Sequence, residues 1–113
     1  MNAVKEDVKK LVQKELESAN QRFPMFRSDH EGAAVIVEEI EEAQEDINSI
    51  QRNFGDLWKS VKRDSEPEYH AESIYYCAIS LACEAIQVAA MAQKFIDSSK
   101  RREDVNCKGE QEC

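Results

Sequence analysis

Six apolar residues, Ile36, Ile40, Ala43, Ile47, Ile50 and Phe54, advance along the chain in steps of 4, 3, 4, 3 and 4. That period draws one continuous stripe along an α-helix and would scatter over both faces of a strand. This stretch is therefore expected to be helical and to pack on another helix. Val4, Val8, Leu11, Val12, Leu16 and Ala19 show the same spacing and predict a first helix over residues 3–20. Pro24 closes it, because a residue before proline, here Phe23, is pushed out of helical geometry. Ser28 or Asp29 is placed to cap the second helix, with Glu31 three residues after Ser28 as in a capping box. That helix is expected to reach about Asn53, with Gly55 interrupting it and residues 56–63 forming a short connecting helix. Asp64-Ser65-Glu66-Pro67 reads as a loop, or as a helix start with proline at its first position.

The third helix is expected over roughly Glu68 to Ser98 and is apolar on nearly every face through its middle. Three glycines and two prolines in 113 residues are too few for a turn-rich all-β fold. The expected architecture is all-α: an antiparallel bundle of three main helices plus the short connecting helix, in one domain over residues 1–98. A polar tail, residues 99–113, has Val105 as its only aliphatic residue and is expected to be flexible. A hairpin plus one helix cannot cover a third helix that is apolar all round. The chain is therefore expected to assemble as a homodimer or a dimer of dimers.

A membrane-spanning reading of Tyr75 to Ile96 is disfavoured by Ser80, Glu84, Gln87, Gln93 and Lys94 within it, since a carboxylate near a bilayer centre is costly. The start, MNAVKEDVKK, has no apolar signal-peptide core. Four cysteines at spacings of 6, 24 and 6 match no zinc pattern. Cys77 and Cys83 are expected as core thiols, and Cys107 and Cys113 lie in the polar tail. A cytoplasmic location is expected, with no membrane partner.

The net charge of −8 argues against a nucleic-acid grip built on bulk charge. Its distribution is more informative. Eight acids lie between Asp29 and Asp46 with no lysine or arginine among them, while the remaining 15 acids match the 15 bases. With Ile36 at zero on a helical wheel, Glu39 falls near about −60°, Asp46 near about −80° and Glu42 near about −120°. These three form a line on the shoulder of the apolar stripe, and Glu38, Glu41 and Glu45 lie further toward solvent. Like charges three and four residues apart repel, so the line is destabilising unless a cation sits between its members. The third helix holds a matching line of Ser73, Ser80, Glu84, Gln87 and Met91, and Glu84 stands among Ala82, Cys83, Ala85 and Ile86. A hairpin turning around residues 55–66 brings Glu84 near Glu42. Carboxylates at the edge of a helix interface are a common way for bundle proteins to hold hard divalent ions. The plainer reading is a solvated acidic face.

At these residues the chain resembles a known family. Glu38-Glu39-Ile40-Glu41-Glu42 reads as EExxE, and Glu84-Ala85-Ile86-Gln87 stands where the family has ExxD. The pair is similar to the MazG-like, all-α nucleoside triphosphate pyrophosphohydrolases. FPMFRSDHEGAAVIVEEIEE, LWKSVK and AISLACEAIQVAAMAQKFID together resemble the small phage and mobile-element members. The resemblance covers residues 22–97 and implies that Glu39, Glu42, Glu84 and Gln87 surround Mg²⁺, or Mn²⁺. Asp46, on the same shoulder line, is a further candidate ligand. The implied reaction converts a nucleoside triphosphate to the monophosphate and pyrophosphate by attack of water on the α-phosphorus. Glu38 is the candidate base for that water. Lys94 is a candidate for the phosphates, Trp58 for stacking on the base and His30 for a substrate contact. Gln87 replaces the family's Asp; its carbonyl can still ligate Mg²⁺ but adds no negative charge. A non-catalytic helical module that binds a nucleotide or a protein is the alternative.

Overall fold

A computed structural model describes residues 4–110, with side chains to Val105. Its elements are α1 (Lys5–Arg22), α2 (Asp29–Lys62) and α3 (Glu68–Glu110), and the described residues contain no strand. The all-α expectation holds.

Each boundary has a local cause. Phe23, before Pro24, adopts φ −134° and ψ 147°, the extended geometry that proline imposes on its predecessor, and its N–H donates back to the Ala19 carbonyl at 2.9 Å. Ser28 is the cap of α2: its Oγ accepts from the Glu31 N–H at 3.1 Å. At the far end Asp64 takes a left-handed φ of 56°, and the Ser65 N–H reaches the Ser60 carbonyl at 2.9 Å. Pro67 opens α3 by offering its carbonyl to the N–H groups of His70 and Ala71.

Two expected boundaries are corrected. Helix α2 runs through Gly55 to Lys62, so the separate connecting helix over 56–63 does not exist. A helical glycine costs only about 1 kcal/mol, and Leu57 and Val61 carry the 3-and-4 stripe past it. Helix α3 likewise passes Ser98 and continues to Glu110. Arg102 explains part of the extension, because its guanidinium is tied to the Phe26 carbonyl at 2.8 Å and to the Asp29 carboxylate.

The chain divides into two compact units. One comprises the residues up to Glu38 and from Ile86 onward, and it contains the buried core: Leu16, Ala19, Phe26, Ala90 and Met91, flanked by Val12, Val35, Ile36 and Phe95. The loop between α1 and α2 is pinned here, since the Phe26 N–H donates to the buried Ser98 Oγ at 3.0 Å. Gly32 allows the close approach of α2 and α3. A Cβ at this position would stand 2.6 Å from Phe95 Cδ2 and 3.0 Å from Phe26 Cδ2.

The second unit is the hairpin Glu39–Ala85, and none of its side chains is fully buried. Its helices run antiparallel, as the facing pairs Asp46 with Ser80 and Glu42 with Glu84 require. Ala43, Ile50 and Leu57 are half-buried, whereas Ile40, Ile47, Phe54 and Val61, seven residues apart, are exposed. The expectation that the middle of α3 would be buried fails within this unit. Tyr75, Tyr76 and Ile79 are exposed, and Cys83 is an exposed thiol, not a core one; Cys77 is half-buried. The side chain of Cys107 and all of Cys113 lie outside the described residues. By length and composition alone α3 could cross a membrane between Glu68 and Val105, where its best window has a mean hydropathy of 1.5.

The two glycines of α2 should respond oppositely to alanine. Gly32→Ala gains helix propensity but drives a methyl into Phe95, and is expected to lose about 1–3 kcal/mol in urea denaturation. Gly55→Ala meets nothing within 4 Å and is expected to gain about 0.5–1 kcal/mol.

Candidate metal centre

Glu39, Glu42 and Asp46 on the acidic shoulder of α2 meet Ser80 and Glu84 of α3 inside the Glu39–Ala85 hairpin. One carboxylate oxygen from each of Glu39, Glu42 and Glu84 lies within 4.8 Å of the others. Glu39 and Glu84 are half-buried and Glu42 is exposed. Helical period places Glu39 and Glu42 on adjacent turns of one face, and the antiparallel pairing sets Glu84 opposite them. One turn further along α2, the half-buried Asp46 accepts a hydrogen bond from Ser80 Oγ at 2.9 Å. That contact fixes the register of the two helices beside the cluster.

The electrostatics bear the mark of crowding. Burial pushes the Glu84 carboxyl above its ordinary value of 4.5. Contact with Glu39 and the negative charges of Glu39 and Asp46 push the same way, and a hydrogen bond with Glu42 works against them. Such a group can hold itself together with a shared proton or with a cation. Two oxygens on a single Mg²⁺ stand at most about 4.2 Å apart, given Mg–O distances of ~2.1 Å. Small side-chain adjustments would bring this set to that size. A hard divalent ion suits an all-oxygen donor set, whereas softer metals favour nitrogen and sulfur.

The remaining candidates fall in different places. Glu38, directly before Glu39, is exposed, and Gln87, one turn past Glu84 on α3, is half-buried; both belong to the other compact unit. Trp58 is half exposed and lies about 24 Å along α2 from Glu42; its ring carries the Lys62 ammonium at 5.9 Å. His30 is an exposed residue in the first turn of α2. Lys94 is only 2% exposed, with its ammonium 5.1 Å from the centre of the Phe26 ring. Burial pulls its pKa below the ordinary lysine value, and the charge of Glu31 acts in the opposite direction. The geometry thus brings Glu39, Glu42, Glu84 and Asp46 together, while Lys94 is packed in the core of the other unit. The ion pair of Arg102 with Asp29 was not foreseeable from the sequence, because 73 residues separate the partners and no periodicity links them.

Compared with family models, curated proteins and solved structures, the chain matches none.

The Glu84 shift has a consequence for stability. Above its ordinary value and below the raised one, the native chain holds a proton that the unfolded chain has released, so stability falls as pH rises through that window. Glu84→Gln is expected to raise the thermal midpoint at about pH 7.5 and to change it little at about pH 4. Melting curves at the two pH values check this.

Proposed function

We propose that the chain is a Mg²⁺-dependent nucleoside triphosphate pyrophosphohydrolase of the MazG-like, all-α type, with Mn²⁺ as a possible substitute. The observation that carries the proposal is the convergence of Glu39, Glu42 and Glu84, the residues for which the EExxE and ExxD resemblance implies metal ligation. Asp46 lies one turn from Glu42 and adds negative charge beside the cluster. A cation held there would supply positive charge against the triphosphate and a lowered pKa for a bound water. Glu39, Glu42 and Glu84 would hold and orient such a cation; a bare carboxylate cluster would repel a polyanion, so substrate binding would depend on it. The roles of Glu38 as base and of Gln87 as a neutral ligand rest on the resemblance. Lys94, Trp58 and His30 are carried in the proposal as substrate contacts, Lys94 from a buried position beside Phe26.

Gln87 in place of an acid favours a second reading, a helical binding module of the same fold without turnover. Incubation with a panel of NTPs and dNTPs and assay of released pyrophosphate separates the two. A pyrophosphohydrolase is expected to release pyrophosphate only with Mg²⁺ or Mn²⁺, and Glu42→Ala should lower the rate by about a hundredfold or more. Nucleotide binding without pyrophosphate release would establish the second reading.

We further propose a homodimer or dimer of dimers, soluble and cytoplasmic. The support is the exposed row Ile40, Ile47, Phe54 and Val61 at heptad spacing, on a hairpin that buries no side chain fully. Light scattering is expected to give two or four times the 12.9 kDa chain mass, and Phe54→Asp should lower it. A monomer at micromolar concentration, or partition of the protein into membranes, would overturn this.

A further inference from the structure

The unit built on the buried core carries an open surface cleft of about 470 Å³, with Phe26 and Ser98 buried at its floor, Pro24, Met25 and the exposed Val105 on its apolar side and Arg27, Arg101 and Arg102 on its polar side. We infer that this cleft binds a small organic anion: one phosphate or carboxylate head on a compact apolar body. The size lies within the range usual for small-molecule sites. Apolar walls with a few guanidinium groups fit an amphipathic ligand better than a bare ion or a hydrocarbon.

The walls are held in place. Ser98, itself only 1% exposed and lining the cleft, accepts the Phe26 N–H at 3.0 Å, and Arg102 donates to the Phe26 carbonyl at 2.8 Å. The Pro24–Arg27 segment is thus fastened to α3 at both main-chain groups of Phe26. Two of the three positive charges are matched: Arg102 pairs with Asp29, and Arg27 with Glu31 at 3.5 Å. Arg101 makes no ion pair among the described residues, and its guanidinium is the group left for the head of the ligand. With Arg27 and Arg102 matched by Glu31 and Asp29, one uncompensated positive charge, that of Arg101, remains among the lining residues. The site is independent of the carboxylate cluster, whose residues all lie in the other unit.

The test is a titration of phenyl phosphate into the ¹⁵N-labelled full chain, followed by amide shifts, with no divalent ion present. Saturable shifts are expected at Met25, Phe26 and Arg27 and at residues 98–105. Arg101→Gln should weaken binding roughly tenfold, because it removes a charge-assisted contact, and Arg27→Gln should weaken it less. Lys59→Gln, in the hairpin, should leave it unchanged. Benzyl alcohol, with the same ring and no charge, and inorganic phosphate, with the charge and no ring, should each bind at least about tenfold more weakly. Failure to saturate, equal binding by Arg101→Gln, equal affinity for benzyl alcohol, or shifts confined to residues 39–85 would overturn the proposal.

Discussion

Three carboxylates whose oxygens lie within 4.8 Å of one another repel, and the hairpin that carries them has no fully buried side chain to absorb the cost. Everything else about residues 39–85 follows from that combination. Burial gives the hairpin little stability, because two helices hide only the strip where they touch, here the half-buried Ala43, Ile50 and Leu57. The remaining apolar row on α2, Ile40, Ile47, Phe54 and Val61, stays exposed.

The other unit is organised differently. Its core is small but closed, and its precision comes from polar ties to a few main-chain groups. The Phe26 ring fills the core while its N–H and carbonyl are taken by Ser98 and Arg102. Gly32 lets α2 come close enough for Phe95 to pack over it. The burial of Lys94 beside Phe26 belongs to this economy: the stem fills apolar space and the ammonium rests on a ring. A residue that the sequence offered as a phosphate ligand is, by its burial, first a packing residue.

The limits of sequence reading follow from the range of the interactions. Helical class, the Ser28 cap and the Pro24 stop were legible because each depends on neighbours three or four residues away. The nearness of Glu42 to Glu84 was also legible, since an antiparallel turn anywhere around residues 55–66 brings the two together, although the turn itself lies at residues 63–67. Gly55 does not end α2, because its weak propensity penalty is outweighed by the apolar stripe that continues to Leu57 and Val61. The end of α3 misled because Arg102 is held by Asp29 and Phe26, distant in sequence. The burial of α3 was overestimated because apolar composition states what a helix needs covered and not what covers it.

The central claim is that Glu39, Glu42 and Glu84 form a divalent-cation site. Calorimetric titration of Mg²⁺, and of Mn²⁺ in parallel, into the wild-type chain and Glu42→Ala tests it most directly. The account predicts saturable binding to the wild type and a loss of at least about tenfold in affinity for the variant, as expected when one charged oxygen ligand is removed. No binding to the wild type, or equal affinity in both proteins, would contradict it.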